Sequence, residues 1–407
     1  MPIVLKKRTE KSPGIIVFTH NEIIRGITKK SKKIDDLLID QNRKKKWIFG
    51  IHIQGDCSNL NSWPYKEWHN FFMWPDKKAK FLKNLPSEKI TELTCVNFLN
   101  EGIKNFSNLK KTVEIISITR FSSLKNIQLT LEIFKKLSDK NSNYKFILIA
   151  QKEKPKKRFF SNKELEYFLE TEKIIKEIKN NSKYKNIEFI INNTDEKGLF
   201  PLAEEEIYRN IAEAKYLILN SYREGVPRVL VEAICLNTKL IISNKLRFGL
   251  SKYLNSNNSF IYDEKNKNID EVIDDIQKEL MKRSNIQIKN EKLKEFDENF
   301  NKTKLFNFLN EILITKKIEL EDISHESWKI ENLKYRLACH FKKANHQIFK
   351  NEDLFIDWFH KANNDKFYED INYSYLFSKD DFNFFLELRF FCKKLIKFIL
   401  RKISLQF

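Results

Sequence analysis

The chain is poor in several residue types and has no long apolar run. It includes only eight glycines, eight prolines, five cysteines and three methionines among 407 residues. Because no apolar run approaches the roughly eighteen residues that a membrane-spanning helix needs, the sequence predicts no such helix. The N-terminal segment MPIVLKKRTEKSPG lacks the apolar core of a signal peptide, so we expect no secretory leader.

The cysteines and histidines do not form a metal-site or disulfide pattern. The five cysteines are scattered through the chain and odd in number: Cys57, Cys95, Cys235, Cys339 and Cys392. This distribution is typical of reduced thiols in the cytoplasm, where disulfides are rare. The histidines near the C-terminus have spacings that match no known metal motif. We therefore expect a cytoplasmic protein without a metal centre.

The composition favours a folded protein with an excess of positive charge. Apolar residues make up 41% of the chain, which supports globular folding. Lysine and arginine exceed aspartate and glutamate by 75 to 55, a formal net charge of +20. Such an excess favours polyanionic partners, including nucleotide diphosphates, acidic glycans, anionic lipid and nucleic acid. The abundance of Lys, Asn and Ile along the whole chain is equally typical of a bias in base composition.

The most informative stretch is residues 216–244, YLILNSYREGVPRVLVEAICLNTKLIISN. Its apolar run, polar loop, helical stripe and second apolar run predict a strand, loop, helix and strand. Pro227 stands where the first helical residue is expected. In a parallel sheet this loop opens at the edge that binds ligands, and the helix start offers N–H groups to an anion. Glu224 in the loop and Glu232 in the helix are the two carboxylates of the unit.

A second unit of this kind begins about a hundred residues earlier. Residues 112–119 and 144–150 predict strands, and an apolar stripe between them predicts a helix. Arg120 and Lys125 bracket the turn between the first strand and that helix. Two cations at such a turn can neutralise a diphosphate, arginine as a planar fork and lysine as a point charge. The alternative is a pair of exposed cations in a basic protein.

Taken together, these motifs resemble the family 4 (group 1) glycosyltransferases. The resemblance is carried by six residues in the order and spacing of that family: Arg120, Lys125, Ser221, Glu224, Gly225 and Glu232. It extends over roughly residues 111–280. It implies a GT-B fold, in which two Rossmann-like α/β domains face each other across a cleft. Residues 1–110 are the predicted short acceptor-side domain and residues 111–315 the predicted donor-binding domain, while residues 316–407 are a predicted helical extension.

The resemblance implies a role for each matching residue. Glu224 meets sugar hydroxyls and Glu232 the donor ribose, while Arg120 and Lys125 bind the diphosphate and stabilise the departing nucleotide. Ser221 belongs to the same motif. The turn of Gly225, Val226 and Pro227 presents backbone N–H groups to the diphosphate, although Pro227 has none. The family implies no metal ion or other cofactor, and no Asp-x-Asp motif occurs in this region.

Further candidates rest on their positions at predicted strand ends. Asn193 and Thr194 follow a strand that flanks the nucleotide base in the family. His20, His52 and Asp56 follow strands of the first domain, and the family implies a cleft His or Asp there that contacts donor sugar or acceptor. His52 is the catalytic candidate of these, and the other two are acceptor-side candidates. The alternative is that each is a structural or surface residue. The family's glycine-rich first loop is replaced here by THNE.

The C-terminal residues 384–407 predict a cationic amphipathic helix. Phe385, Leu388, Cys392, Leu395, Ile399 and Ile403 line one face, and Arg389, Lys393, Lys397 and Arg401 line another. Such a helix can lie on an anionic membrane surface, which would make the protein peripheral on the inner face of the membrane. Alternatively, its apolar face docks on the protein itself.

The sequence thus predicts a glycosyltransferase that moves a sugar from a nucleoside-diphosphate donor to an acceptor hydroxyl. The resemblance implies a retaining reaction, with a carbohydrate or lipid-linked acceptor of cell-surface polysaccharide or glycolipid synthesis. One alternative is a catalytically inactive protein that binds sugar nucleotides. Others are a basic membrane-surface protein and a nucleic-acid-binding protein, and no nucleic-acid motif supports the last.

Overall fold

The architecture is that of two parallel α/β units built on separate sheets. The computed structural model describes residues 2–24, 26–55, 57, 60–99, 101–152, 162–192, 201–202, 204–282, 294–330, 333, 337, 349 and 351–362. The strands of the first sheet are Ile3–Lys6 (β1), Gly14–Thr19 (β2), Trp47–His52 (β3), Phe71–Met73 (β4) and Ile90–Thr91 (β5). Those of the second are Val113–Arg120 (β6), Phe146–Gln151 (β7), Ile187–Ile191 (β8), Ala214–Leu219 (β9), Lys239–Ser243 (β10) and Ser259–Tyr262 (β11).

Helices connect these strands. The described α-helices are His20–Ile24 (α1), Lys32–Arg43 (α2), Ile127–Lys140 (α3), Asn162–Asn180 (α4), Glu204–Glu213 (α5), Arg228–Cys235 (α6), Ile269–Met281 (α7), Glu298–Ile314 (α8) and Glu352–Ala362 (α9). Short 3-10 helices lie at Ile27–Lys29, Lys80–Leu82, Ser87–Lys89, Cys95–Asn97, Glu101–Phe106, Ser123–Lys125, Ser182–Tyr184 and Ser251–Tyr253. Within the described ranges no helix combines the length and apolarity that crossing a membrane requires.

The two sheets differ in strand order. The second sheet is parallel throughout, with the order β11-β10-β9-β6-β7-β8. Read from its other edge, this is the doubly wound order of a Rossmann fold, and the order reverses between β6 and β9. The first sheet runs β1-β2-β3-β4-β5, with β1 antiparallel and the other strands parallel. The predicted α/β class with two Rossmann-like domains in a GT-B arrangement is confirmed.

The chain returns to the first sheet after completing the second. Phe308 of α8 packs edge-on against Phe71 of β4, with ring centroids 6.2 Å apart. The same hydrophobic core contains Leu305 and Leu309 of α8 and residues from both sheets. Helix α8 therefore packs against residues of both units.

The described part of the predicted C-terminal extension packs on the first sheet. Helix α9 places Phe355 and Phe359 against Phe18 of β2 and Trp47 of β3. These contacts bury an aromatic face that the sheet alone would leave in water, and burial of such area is the main stabilising term in folding. Helix α9 is a described helix within the predicted helical extension, whereas residues 384–407 lie outside the described part of the chain.

Side-chain hydrogen bonds define two local elements of the first domain. Thr94 precedes the 3-10 helix Cys95–Asn97, and its N–H binds the Asn97 Oδ1 at 2.8 Å. Helix α2 begins at Lys32. Ser31 caps it, its Oγ accepting a hydrogen bond of 3.1 Å from the Ile34 N–H.

Candidate functional site

The carboxyl ends of β6 and β9 lie side by side where the strand order of the second sheet reverses. The two strands are parallel neighbours, with Ile115 opposite Tyr216 and Ile116 opposite Leu217. From β6 the chain continues toward β7 on one side, and from β9 it continues toward β10 on the other side. A crevice therefore lies between the loops that follow β6 and β9. Ligands of open α/β sheets bind in this crevice.

The loop after β6 places two cations at the crevice. Arg120 is the last residue of β6 and is exposed. Ser122 then caps the 3-10 helix Ser123–Lys125, its Oγ accepting a hydrogen bond of 3.3 Å from the Leu124 N–H. Asn126 adopts a left-handed conformation, with φ at 49°, and α3 starts directly after it. This tight turn brings Lys125 to the same edge of the sheet as Arg120.

The loop after β9 meets these cations with a carboxylate. The ammonium group of Lys125 forms an ion pair with the Glu224 carboxylate, and both side chains are more than four-fifths buried. The Ser221 hydroxyl donates a 2.7 Å hydrogen bond to the same Glu224 oxygen. Burial lowers the pKa of Lys125, opposed by the charge and hydrogen bond of Glu224, and the positive charge of Arg120 lowers it further. Arg120, Lys125, Ser221 and Glu224 thus share one site.

Backbone hydrogen bonds fix the second loop on both sides. The Tyr222 N–H binds the carbonyl oxygen of Leu124 at 3.0 Å, which joins the two loops. The Glu224 N–H binds the carbonyl of Arg247 at 2.8 Å, and the Gly249 N–H binds that of Gly225 at 2.8 Å. The position of Glu224 is therefore set by backbone contacts as well as by its ion pair.

Gly225 is the point where the second unit touches the first. A Cβ built on Gly225 would overlap the carbonyl oxygen of Gln54 and lie 2.8 Å from the Cα of Gly55. Gln54 and Gly55 follow β3, so the carboxyl ends of both sheets meet here. Only a glycine permits this approach of two backbones. The turn that the sequence predicts as the diphosphate contact is therefore also an inter-domain contact.

Helix α6 follows this turn. Pro227 is the residue before the helix rather than its first residue, and α6 begins at Arg228. Val226 and Arg228 are partly buried. The first N–H groups of a helix have no partner within the helix, so this end can accept an anion. The predicted proximity of an anion-binding helix start to Lys125 and Arg120 agrees with the geometry.

Glu232 lies deeper than the other predicted site residues. It is only 4% exposed on α6. Tyr208 of α5 is nearby: burial raises its pKa, and the negative charges of Glu232 and Glu204 raise it further. The Tyr208 hydroxyl donates a 2.6 Å hydrogen bond to Glu204. The expected contact of Glu232 with a ribose stays a prediction.

The histidine candidates of the first sheet have different positions. His20 begins α1, and its Nδ1 accepts a 3.3 Å hydrogen bond from the Gln54 N–H. A Cβ on Gly55 would overlap the His20 Nε2, so this ring borders the inter-domain contact. Asp56, Asn193 and Thr194 lie outside the described residues.

His52 lies behind the cleft rather than on it. It ends β3 with 1% exposure, and its Nε2 accepts a 3.3 Å hydrogen bond from the Cys95 N–H. Burial lowers the pKa of His52 to about 3, helped by the nearby charge of His20, so the ring is neutral. The expectation that His52 borders the cleft is therefore wrong for this conformation, because the ring is enclosed. Its catalytic role remains a prediction.

Three residues near the site were missed at the sequence level. Gln54 and Gly55 follow β3, and Trp74 follows β4 and packs against Gly249. Each lies within three residues after the end of a strand, which is a weak signal in the sequence. It went unnoticed for Trp74 because β4 has only three residues within an aromatic-rich segment. Among the described residues no group of three or more His, Cys, Asp or Glu side chains could hold a metal ion.

Sequence comparison identifies the segment that contains this site. The family model described as "Glycosyl transferases group 1" matches residues 100–302, close to half of the chain. This segment includes all of the second sheet and every residue of the crevice. No curated protein matches the chain.

Comparison with solved structures finds distant neighbours. One is a UDP-forming α,α-trehalose-phosphate synthase from Burkholderia xenovorans in complex with glucose-6-phosphate, at 12% identity, covering 76% of this chain and 90% of that one, with a TM-score of 0.49. The GtfA/B complex matches at 11% identity, 70% and 55% coverage and a TM-score of 0.45. The pneumococcal O-GlcNAc transferase GtfA with UDP and GlcNAc matches at 12% identity, 69% and 53% coverage and a TM-score of 0.40.

The chain spans just over half the length of the GtfA/B and pneumococcal GtfA chains that it matches. The segment that matches the family model is built on the doubly wound sheet. Residues 100–302 of this two-sheet, GT-B-type chain form a group 1 glycosyltransferase domain.

Proposed function

We propose that this protein transfers a sugar from a nucleoside-diphosphate donor to an acceptor hydroxyl, as a family 4 enzyme of group 1. The observation that carries the proposal is the convergence of Arg120, Lys125, Ser221 and Glu224 at the carboxyl edge of β6 and β9. Arg120 and Lys125 precede Ser221 and Glu224 by about a hundred positions. Only the fold brings the two pairs together. Cations beside a carboxylate and a hydroxyl suit a ligand that carries both phosphate and sugar.

The diphosphate would occupy the cationic side of the crevice. Cleavage of the sugar–phosphate bond builds negative charge on the departing nucleotide, and fixed positive groups stabilise that charge. Arg120 supplies a planar fork, Lys125 a point charge, and Gly225 and Val226 backbone N–H groups at the start of α6. Lys125 is paired with Glu224, so a bound diphosphate would replace the carboxylate as the partner of the ammonium group.

The carboxylate released from Lys125 would then contact the sugar. Glu224 and Ser221 are held next to each other, and together they offer acceptor and donor groups for hydroxyls. Their role is to position the sugar, which lowers the barrier by fixing the reacting geometry. Glu232 would bind the ribose, and Asn193 and Thr194 the base. His20 and Asp56 would act on the acceptor side, and His52 stays the catalytic candidate of the first sheet.

The finer features of the reaction follow the family resemblance. We propose a retaining transfer that needs neither a metal ion nor another cofactor. The acceptor would be a carbohydrate or lipid-linked precursor of a cell-surface polysaccharide or glycolipid. The cationic stripe predicted within residues 384–407 supports work at the inner surface of a membrane, since such stripes attract anionic lipid.

The donor site is tested by thermal unfolding with UDP, GDP, CDP and ADP. One of them, at a hundred times its dissociation constant, should stabilise the wild type by about 2.7 kcal/mol. Arg120→Ala should abolish this stabilisation. Arg209→Ala is the matched control, because it removes an equally exposed arginine from α5. Stabilisation by none of the four nucleotides would sink the proposal.

Turnover separates an enzyme from a protein that only binds sugar nucleotides. The donor built on the stabilising nucleotide should release that nucleotide in the presence of the enzyme, slowly to water and faster to an acceptor. Glu224→Ala should reduce this release at least tenfold while nucleotide binding persists, because Glu224 contacts the sugar in the proposed complex. Nucleotide binding without any release by the wild type would instead support the inactive alternative.

A further inference from the structure

Trp74 carries a buried hydrogen-bond donor that nothing in the described protein uses. We propose that its indole N–H binds a hydroxyl oxygen of the transferred sugar, beside the turn of Gly225 and Gly249. The inference rests on the proposed function, because it assigns the sugar-binding partner from the first sheet. Glu224 and Ser221 would hold the sugar from the second sheet, and Trp74 would hold it from the first.

The burial of Trp74 makes its N–H an unusual feature. The side chain is only 5% exposed, and its Nε1 has no hydrogen-bond partner among the described residues. More than nine in ten buried polar groups in folded proteins have a partner, and an unpaired one is a sign of strain, of function or of a missing ligand. The indole N–H can only donate, so the partner must offer an oxygen or another acceptor.

The position of the ring places this donor at the candidate site. Trp74 follows β4, and its backbone N–H binds the carbonyl oxygen of Thr91 at 3.0 Å. The ring atoms Cζ2 and Cη2 lie 2.8 Å from the point where a Cβ on Gly249 would stand. The Nε1 belongs to the same edge of the ring as Cζ2. Gly249 in turn donates its N–H to the carbonyl of Gly225, so the ring edge faces the turn that starts at Glu224.

A neutral donor at this place suits a sugar better than a phosphate. The diphosphate has its cations in Arg120 and Lys125, which follow β6 in the second sheet. Trp74 comes from the other sheet and adds no charge. Indole rings combine an apolar surface with one polar N–H, and a sugar likewise presents C–H groups and hydroxyls. A hydroxyl oxygen can accept from Nε1 while its own hydrogen is donated to Glu224.

Trp63 provides a matched comparison within the same cluster. It is 1% exposed, and its Nε1 likewise has no hydrogen-bond partner among the described residues. Both tryptophans pack on Phe81, Trp74 at 5.5 Å and Trp63 at 6.5 Å between ring centroids. Each ring also meets a phenylalanine edge-on, Trp63 with Phe72 and Trp74 with Phe81, so this contact does not distinguish them. The two rings differ in that Trp74 lies against the glycine turn.

The test uses the indole N–H signals of the full-length protein in two-dimensional NMR spectra. Trp74→Phe and Trp63→Phe assign the two signals and remove only the N–H and part of the ring. The probes are UDP-glucose, UDP-N-acetylglucosamine, GDP-mannose and ADP-glucose, each compared with its free nucleoside diphosphate. We expect one sugar nucleotide to shift the Trp74 signal strongly, its free nucleotide to shift it little, and the Trp63 signal to stay in place.

Affinity gives the second readout. Trp74→Phe should weaken binding of that sugar nucleotide about five- to tenfold, as expected for one hydrogen bond. It should leave binding of the free nucleotide unchanged, and Trp63→Phe should change neither. If Trp74→Phe does not fold, Phe variants of the other five tryptophans assign its signal by difference in the wild type.

The outcomes separate this inference from the proposed function. Nucleotide binding with an unmoved Trp74 signal, or with equal sugar-nucleotide affinity in wild type and Trp74→Phe, would overturn the inference and leave the proposed function standing. Equal losses for sugar nucleotide and free nucleotide would assign Trp74 to packing instead. Failure of the wild type to bind any nucleotide would overturn both.

Discussion

Gly225 is the residue at which the two units are in closest backbone contact. A glycine is needed here because of the contact with Gln54 and not because of a turn conformation. A Cβ would overlap the carbonyl oxygen of Gln54, which cannot rotate away. Gly249 is next to it, but a Cβ there would meet the ring of Trp74 at 2.8 Å and the Gly225 carbonyl oxygen at 3.1 Å. A ring can shift by a small rotation, whereas a backbone carbonyl moves only with its strand end.

We therefore predict that Gly225→Ala destabilises the protein more than Gly249→Ala. Overpacking in a closely packed region costs about 1–3 kcal/mol, and Gly225→Ala should fall at or above the upper end of this range. Thermal unfolding compares the two variants, and small-angle scattering shows whether Gly225→Ala separates the domains. Equal melting temperatures, or a larger loss for Gly249→Ala, would contradict this account of the contact.

Two buried histidines should make stability depend on pH. Burial lowers the pKa of His52 and of His69 to about 3, against an ordinary value of 6.5. Between pH 6.5 and about 3, each of these histidines binds a proton in the unfolded chain but not in the folded protein. Stability should therefore be full above about pH 6.5 and fall by about 1.4 kcal/mol per pH unit for each ring as pH decreases toward 3.

Urea unfolding of paired variants between pH 7.5 and 5.5 measures this effect, because the contribution of Glu22, whose pKa burial raises to about 7, is common to both proteins. His69→Gln should flatten the slope by about 1.4 kcal/mol per pH unit below pH 6.5, even if it lowers stability at neutral pH. His360→Gln, at an exposed position on α9, is the control and should leave the slope unchanged. An unaltered slope in His69→Gln would show that the ring is protonated in the folded protein.

At the scale of secondary-structure elements, the sequence predicts the second unit better than the first. Its strands are continuous apolar runs such as β9 and β10, buried on both faces and separated by helices of ordinary length, so pattern and structure agree. The first unit has strands of three and two residues in β4 and β5. Strands of two or three residues are too short to show an alternation of apolar and polar residues. In residues 92–98 the hydrogen bonds of Thr94 and Asn97 overcame the strand propensity of the segment.

The edge strand β1 is held to the first sheet by a buried charge. Lys6 has no exposure, and its ammonium group lies 2.7 Å from Glu321 in the segment that returns after α8. Burial lowers the pKa of Lys6, opposed by Glu321, and the pKa of Glu321 is lowered to about 2 because its hydrogen bonds and Lys6 outweigh desolvation. Backbone hydrogen bonds from Lys7 to Ser327 and from Lys329 to Leu5 complete this attachment.

We predict that Glu321→Ala is strongly destabilising, by about 3–5 kcal/mol, because it leaves the Lys6 ammonium group buried without its counter-charge. The double variant Lys6→Met, Glu321→Gln should recover most of that loss, since it removes both charges and keeps similar volume. Thermal and urea unfolding of the three proteins give the comparison. Glutamine at position 321 can still accept the hydrogen bond from Thr9, so a double variant as unstable as Glu321→Ala would contradict the account of the buried counter-charge.

At the scale of the molecule, part of the candidate site could be predicted and part could not. The loops of Arg120, Lys125, Ser221 and Glu224 lie on one sheet, and the order of strands in that sheet follows from the βαβ pattern. Their meeting was therefore within reach of sequence analysis. The contacts of Gln54 and Trp74 with the glycine turn depend on how two separate sheets dock. No local pattern encodes that docking, which explains why these residues were missed.

The last prediction concerns where the whole molecule works. The predicted helix of residues 384–407 carries Arg389, Lys393, Lys397 and Arg401 along one face. Each basic residue near an anionic bilayer adds about 1 kcal/mol of attraction, which salt screens within a Debye length. We expect the full chain to co-sediment with vesicles rich in phosphatidylglycerol, not with phosphatidylcholine vesicles, and to be released as salt increases.

A variant lacking residues 384–407 and a variant with these four cations changed to glutamine separate the two roles of the helix. If the helix binds membrane, both variants should lose vesicle binding and keep the wild-type melting temperature and nucleotide stabilisation. If its apolar face docks on the protein, the deletion should lower the melting temperature while the glutamine variant, whose apolar stripe is intact, should not. Undiminished vesicle binding by the deletion variant would contradict the membrane role, because the positive charge of the remaining chain, +15 after removal of the +5 of residues 384–407, would then suffice.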